Sequence, residues 1–593
     1  MKVRLSLTQK FGAGLFLPLL TLTALAQQRP DSGVLINEQS WPKNVPELKS
    51  PTPKLVVPEV PRALSVRNQS GWDEKVRVTD LQMTGNTLFN SEVLLAQISG
   101  IKGEVVEISR IVDAVESIRK FYADAGYLLT DVYLPEQQLS PTGAVVQISV
   151  VEARIGKVVV HIAPDSGVSE QQVLELANAN LQSGTAIQKY ELEKVVYFLK
   201  DRAGVDASAS LTAGVNAGEA DITIDVFPSG SSRIGTSLTL DNQGPRSAGE
   251  YRVTASINVD HPLDMGDQVS FRLQPTSQSG SGLFRVGYTV PISSGGTKLN
   301  LSVSNNIYAL GAPFETLGAS GNATVVSATA IYPLIRGRLT NVVAISGIDF
   351  KELNDKTRII EQDNNQKISA IRIGVLGNST SDRTYAAEVG TSASEFLNHG
   401  GVTLYSLVAT GGNVTLSSTV DDSEGTQGSF STLNFDVQRV QFFSDELSVS
   451  LSLKGQMASK NLRGAERVSY GGPTGVRGYP ATSGSGDEGM LASAELRYKT
   501  SLQVLGSPLT AMVFYDMASI IAKKNPLQGS SLPNSASFNS VGFGFQAGTE
   551  GAATASLSIA KRLGGYPILT DSVGASNESE RSPQVWFTVQ KWF

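Results

Sequence analysis

Arg252-Val253-Thr254-Ala255-Ser256-Ile257-Asn258-Val259-Asp260 alternates without a break: Val253, Ala255, Ile257 and Val259 are apolar, and Arg252, Thr254, Ser256, Asn258 and Asp260 are charged or polar. Successive side chains of a β-strand point to opposite faces, so this stretch has one apolar face and one polar face. The same period of two returns at Val269/Phe271/Leu273, Phe284/Val286/Tyr288/Val290 and Leu299/Leu301/Val303. Soluble sandwiches alternate as well, so the pattern fixes strands before it fixes their surroundings.

Extent and ending decide the surroundings. From about Ser232 the pattern continues to the last residue, and Val585-Trp586-Phe587-Thr588-Val589-Gln590-Lys591-Trp592-Phe593 finishes on an aromatic with alternate apolar positions behind it. Beyond the N-terminus no uninterrupted apolar run is long enough for a membrane-spanning helix. A chain that crosses a bilayer without helices must close into a barrel, which alone pairs every backbone group in lipid. The roughly 360 residues from Ser232 onward hold about sixteen strands of about 10 residues with their connections, and fourteen or eighteen also fit. The expected fold is mainly β: a 16-stranded antiparallel transmembrane β-barrel over 230–593.

The rest of the chain fits an exported protein of several domains. At 593 residues it exceeds one core, and Lys+Arg 49 against Asp+Glu 55 gives a net charge of −6, no basic footprint for nucleic acid. Cysteine is absent and only His161, His261 and His399 occur, which excludes thiolate chemistry and disfavours a metal site. Lys2, Arg4 and Lys10, an uncharged stretch over 11–25 and the Ala24-Leu25-Ala26 site predict a secretory signal peptide over 1–26. Prolines 30, 42, 46, 51, 53, 58 and 61 make 27–75 an extended tether, with a short helix possible over 31–40.

Between tether and barrel one pattern occurs twice. Over 76–154 it reads strand 76–83, short helix 90–98, a longer helix striped by Ile111, Val115, Ile118 and Tyr122, a Gly126 stop, then strands 127–134 and 144–151. Over 155–229 it reads strand 156–162, helix 169–180, a helix carrying Leu192, Val195, Val196 and Leu199, and strands near 205–211 and 221–227. Two such units are an internal repeat of small α+β modules.

Inside the barrel region, residues 472–479 read Gly-Pro-Thr-Gly-Val-Arg-Gly-Tyr. A lone arginine framed by small residues and an aromatic on a connection between strands fits a loop tip folded into a barrel lumen, where Arg477 can meet carboxylates. Strand parity supplies them. In 490–498, Met490, Ala492, Ala494, Leu496 and Tyr498 face lipid, which turns Glu495 and Arg497 inward. In 509–516, Leu509, Ala511, Val513 and Tyr515 face lipid, which turns Phe514 and Asp516 inward. The expected contact is a bidentate Arg477–Asp516 pair with Glu495 beside it. The same parity turns Trp586 and Trp592 to the lumen, while Lys591 shares the lipid side and must snorkel.

A signal peptide, a tether, two modules and a barrel with a Val476-Arg477-Gly478-Tyr479 loop resemble the outer-membrane transporters of two-partner secretion, of the hemolysin-activator and filamentous-hemagglutinin-exporter type. The modules are then POTRA modules, and the superfamily also holds the outer-membrane protein insertase. Further stretches carry the resemblance: Gly126-Tyr127-Leu128-Leu129-Thr130 with Tyr133-Leu134-Pro135-Glu136-Gln137, Val150-Val151-Glu152-Ala153-Arg154-Ile155, Asp241-Asn242-Gln243-Gly244 with Gly249-Glu250-Tyr251-Arg252, Tyr332-Pro333-Leu334-Ile335-Arg336, and 489–498. Ala153 stands where glycine is usual, and Phe514-Tyr515-Asp516 continues with Met517-Ala518 where the insertase motif has glycine.

The resemblance implies an outer-membrane exporter with periplasmic POTRA modules. They recognise an unfolded secreted passenger, a cytolysin, adhesin or other protein, which crosses the barrel without nucleotide hydrolysis. Tyr127, Leu129, Asp131 and Tyr133 are the expected passenger-binding residues, on an edge that could take an added strand. Phe593 is the expected signal to the barrel-assembly machinery. An insertase-like assembly factor is the alternative, disfavoured because those carry more modules. No Walker loop and no G-x-S-x-G elbow occur, so neither a nucleotide, another cofactor nor an enzymatic step is expected.

Overall fold

The computed structural model describes residues 32, 54–57, 74–230, 232–312, 314–381, 400–417, 420, 422–481, 483–526, 533–564 and 582–593. The signal peptide and most of the tether, with the helix over 31–40 apart from Ser32, lie outside the described residues.

In the first module, strands Val105–Glu107, Lys75–Thr84, Ala144–Val151 and Asp131–Tyr133 lie in that order across one sheet. Helices Ser91–Ala96 and Ile108–Asp124 cover it, burying Leu94, Ile111, Ile118 and Tyr122 against Val78, Val146 and Ile148. Asn90 caps the short helix by accepting from the Glu92 backbone N–H.

The strand expected over 127–134 is only Asp131–Tyr133. Its first half is spent elsewhere: the Tyr127 N–H bonds the Tyr122 carbonyl that ends the long helix, and the Leu128 N–H bonds Ile187 of the second module. Gly126 at φ 85° and Leu129 at φ 60° turn the chain between these bonds. Backbone donors already committed cannot join a ladder. The short strand Val105–Glu107 has too few residues to show a period, and the sequence reading missed it.

The second module orders Lys54–Val56, Val205–Ala213, Glu219–Pro228 and Arg154–Ile162. Helices Glu170–Asn180 and Lys189–Lys200 pack over it, the first opened by a Ser169/Gln172 capping box. A piece of the tether thus serves as edge strand, running parallel to Val205–Ala213. Leu128 and Leu129 pack into this module's core, and Gln188 Nε2 donates to the Tyr127 hydroxyl at 3.0 Å.

Sixteen strands among the described residues close into a barrel, from Ile234–Asp241 to Gln584–Trp592, each antiparallel to its neighbours and the last paired with the first. Alternation sorts the side chains as expected. Ile348, Phe350, Ile371, Ile373, Leu451 and Val513 are exposed on the outer wall, while Asp349, Asp355, Gln366 and Asp516 are buried inside. Exposed apolar rows of this extent are stable only against lipid. The closing seam has five ladder pairs, Thr588↔Asp241 to Trp592↔Ser237. Asn242 extends it, donating to the Val585 carbonyl and accepting from the Phe587 N–H, both at 2.8 Å. Phe593 is 73% exposed just beyond the seam, its N–H on the Thr236 carbonyl.

The second module sits on one rim of the barrel. Arg336 grips Asp201 with Nε and Nη2 at 2.8 and 2.7 Å, and its guanidinium lies 4.5 Å over the Tyr197 ring. Lys298 donates to the Asp201 carbonyl.

Candidate functional site

Between the eleventh wall strand, Leu447–Ala458, and the twelfth, Glu488–Val504, residues 459–487 turn into the lumen. Two short pairings, Val468↔Gly486 and Ser469↔Ser485, hold the limbs of this loop together. Its tip is a compact turn: Val476 N–H bonds the Tyr470 carbonyl, and Tyr479 N–H bonds the Val476 carbonyl. Glycine is required at two places for space. A Cβ on Gly475 would lie 2.2 Å from the Tyr470 carbonyl oxygen, and one on Gly478 would lie 2.7 Å from the Arg562 backbone nitrogen.

The tip lies on the wall strands Glu488–Val504 and Ser507–Ile521, where Ser493 stands opposite Asp516 and Glu495 opposite Phe514. Arg477 Nε bonds Asp516 Oδ2 at 2.9 Å and Nη2 bonds Oδ1 at 2.6 Å, a bidentate pair. The Arg477 backbone N–H adds a third bond to Oδ2 at 3.1 Å, and Nη1 reaches Glu495 Oε1 at 2.6 Å. The guanidinium carbon lies 3.3 Å from the Phe514 ring centroid. Val476 and Tyr479 are fully buried with Tyr470, Leu491, Ile520 and Phe538, and Tyr479 meets Phe538 edge-on at 5.1 Å.

Asp516 is fully buried, so its hydrogen bonds decide whether its charge is tolerable. Ser493 Oγ donates to Oδ1 at 2.7 Å and Ser540 Oγ to Oδ2 at 3.3 Å, besides the three bonds from Arg477. Arg497 donates Nε to Glu495 Oε2 at 2.8 Å. Two arginines and two carboxylates therefore balance. Deleting Arg477 would leave the buried Asp516 carboxylate without its guanidinium partner, a cost of about 3–5 kcal/mol.

The structure brings Val476, Arg477, Gly478, Tyr479, Glu495, Phe514 and Asp516 into one cluster. It also seats residues that sequence reasoning did not assign to it. Parity turns Trp586 inward, yet only the closed barrel reveals its partner: the indole Nε1 donates to the Arg477 carbonyl at 2.8 Å. Gly542 makes room for Phe514, since a Cβ there would lie 2.4 Å from Phe514 Cζ. Ser493 and Ser540 carry no signal beyond inward parity.

The four residues expected to bind passenger do not share one surface. Tyr127 packs among Phe89 and Tyr122, and Leu129 against the second module's core, so both belong to the joint between modules. Asp131 is paired with Arg119 at 3.1 Å, and Tyr133 ends the three-residue edge strand. Among the described residues no group of three or more His, Asp or Glu side chains could hold a metal ion.

Comparison with known proteins gives a consistent picture. Residues 218–539 match the family model described as haemolysin secretion/activation protein ShlB/FhaC/HecB, and residues 76–153 match the POTRA domain of ShlB type. The chain is 25% identical over 552 residues to the heme/hemopexin transporter protein HuxB of Haemophilus influenzae, covering 92% of this chain and 93% of that one. It is 20% identical to the outer membrane transporter CdiB of Dickeya dadantii, over 72% of this chain and 73% of that one. The solved structure of CdiB from Escherichia coli shares the fold with TM-score 0.65 at 16% identity, covering 97% and 98% of the two chains.

Proposed function

The chain belongs to the haemolysin secretion/activation protein family ShlB/FhaC/HecB, and from that premise we propose how it moves a secreted partner across the outer membrane. It is an outer-membrane transporter of two-partner secretion, with POTRA modules in the periplasm and a barrel through which the partner protein is exported. The observation that carries the mechanism is the Arg477–Asp516 pair, made by a loop that occupies the path the passenger must take. The loop is the gate and this pair its catch.

Capture falls to sheet edges. The first module offers the edge strand Asp131–Tyr133, which pairs with no other strand on its outer side among the described residues, although Arg119 Nη2 donates to the Val132 carbonyl at 2.9 Å. In the second module Lys54–Val56 pairs with Ser208–Ser210 of Val205–Ala213, while the opposite edge strand, Arg154–Ile162, pairs with Glu219–Pro228 alone among the described residues. An extended passenger segment can add to such an edge through main-chain bonds, with affinity that depends little on its side chains. Folding of the passenger outside removes it from the translocation equilibrium, so export needs no nucleotide and no catalytic step. Lipid holds the apolar outer wall, and the exposed Phe593 is the mark for assembly machinery. Nothing in this reading calls for nucleic acid.

Expressing the chain with its secreted partner protein, in a host lacking both, tests the assignment. The secreted protein is expected in the medium with the intact chain and absent when residues 76–154 are deleted. Export by the truncated chain would remove the first module from recognition.

A further inference from the structure

We propose that the lumen loop has a second catch on the wall opposite Arg477, formed by Lys351 and Glu466, and that freeing the tip alone does not clear the pore. The proposal builds on the gating role given to the loop above. Lys351 points inward from the seventh wall strand, Thr340–Thr357, six strands away from Asp516 on the thirteenth in a ring of sixteen. The two contacts therefore lie almost across the lumen from each other.

Lys351 Nζ reaches Glu466 Oε1 at 2.7 Å, and the two side chains are 10% and 9% exposed. Nζ also donates to the Ala465 carbonyl at 3.4 Å. On the neighbouring strand, Gln366 Oε1 accepts from Arg463 Nε at 2.8 Å. Leu462 and Ala465 are buried against Ala323, Leu353, Ile368 and Phe430, an apolar patch on the inner wall. An apolar patch facing a polar lumen is unfavourable unless covered, and the outgoing limb of the loop covers it. The Glu466 carbonyl accepts from Gln456 Nε2 at 2.9 Å, tying the limb back to the strand it left.

Ten residues separate Glu466 from Arg477, so the loop straps the lumen between two fixed points. A cavity of about 510 Å³ remains beside the strap, lined by Glu466, Thr474, Lys351 and Arg372 among others. Breaking the Arg477 cluster lets the tip swing within that space, while the limb at Glu466 still spans the pore. A passenger needs both contacts released.

The chain has no cysteine, so Thr474→Cys places a single thiol near the tip. Whole cells carrying this variant are treated with a membrane-impermeant polyethylene-glycol maleimide, and the labelling rate is read by the gel shift. Added Arg477→Ala is expected to change the rate by less than about threefold, and Arg477→Ala with Lys351→Met to raise it by about tenfold or more, because an unpaired Glu466 cannot stay buried. The exchanged pair Lys351→Glu with Glu466→Lys, in the Arg477→Ala background, should return the slow rate. Equal labelling of Arg477→Ala with and without Lys351→Met would overturn the second catch. So would failure of the exchanged pair to slow labelling in a barrel that still shows its compact band on an unheated gel. No passenger enters the assay, so its outcome stands apart from that of the export test.

Discussion

The indole N–H of Trp586, on the last wall strand, donates to the backbone carbonyl of Arg477 at the tip of the lumen loop, 2.8 Å away. The loop tip is therefore tied to the strand that closes the barrel as well as to the two carboxylates. A buried amide-type hydrogen bond contributes about 1 kcal/mol net, which corresponds to about a fivefold change in an equilibrium. Trp586→Phe keeps most of the ring and loses the donor. In planar bilayers, in a Lys351→Met background that lacks the second catch, it should raise the open probability by about that factor, and an unchanged value would show that the bond does not hold the loop tip.

Phe514 owes its place under Arg477 to a missing side chain on the next strand. A Cβ on Gly542 would lie 2.4 Å from both Phe514 Cζ and the Ile559 carbonyl oxygen. Gly542→Ala must push the ring out from under the guanidinium. A desolvated cation–π contact is worth about 2 kcal/mol, so in a Lys351→Met background that lacks the second catch, uptake of large antibiotics by the host should rise roughly thirtyfold over Lys351→Met alone. Phe514→Leu added to Gly542→Ala relieves the ring clash without restoring the contact. If the double variant were as tight as the parent, the contact would be irrelevant to gating.

What the sequence made legible follows from how locally each feature is encoded. Parity along 490–498 and 509–516 needs no partner, and it turned Glu495, Phe514 and Asp516 inward where they meet Arg477. The helix stripes at Ile111, Val115, Ile118 and Tyr122 are local too, and all four are buried. The strand expected over 127–134 is shortened because the Leu128 N–H is claimed by the Ile187 carbonyl and the Tyr127 hydroxyl by Gln188, some sixty residues on, contacts that no local period announces. Lys54–Val56 failed to register as a strand for a similar reason: three residues between prolines form a strand only because Val205–Ala213 offers an edge. Gly542 and Trp586 are readable only once the strand order of the closed barrel is known.

Glu152 makes the first module sensitive to acid. Burial opposes its ionisation, but Thr87 Oγ1, the Leu88 and Thr87 N–H groups and the Tyr122 hydroxyl all bond to it, and together they hold its pKa below the usual 4.5. The unfolded chain then binds the proton more readily than the folded one, so this stabilisation is complete above about pH 4.5 and fades as pH falls through the folded pKa. Amide exchange at Leu88 should lose protection in that acidic window, relative to a Glu152→Gln variant measured at each pH. Parallel curves for the two proteins would mean that Glu152 carries no pH-linked stability.

Arg336 holds the second module to the barrel in a way lysine cannot copy. Its planar fork takes both Asp201 oxygens, at 2.8 and 2.7 Å, while the same plane stacks 4.5 Å over Tyr197 and Nη1 reaches Asn341 at 2.6 Å. Lysine offers a point charge without the fork or the stacking plane. Arg336→Lys should weaken docking by about 2 kcal/mol, enough to raise the undocked fraction roughly thirtyfold. Asp201→Asn keeps the shape of the acceptor and removes its charge, and it should release the module to a similar degree. Spin labels on Gln171 and on the periplasmic turn at Ser293 would report the distance between module and rim. A distribution as narrow as the parent's in both variants would place the docking energy in the apolar contact of Phe198 with the rim instead, because the Phe198 ring lies within 3 Å of where a Cβ on Gly296 would stand.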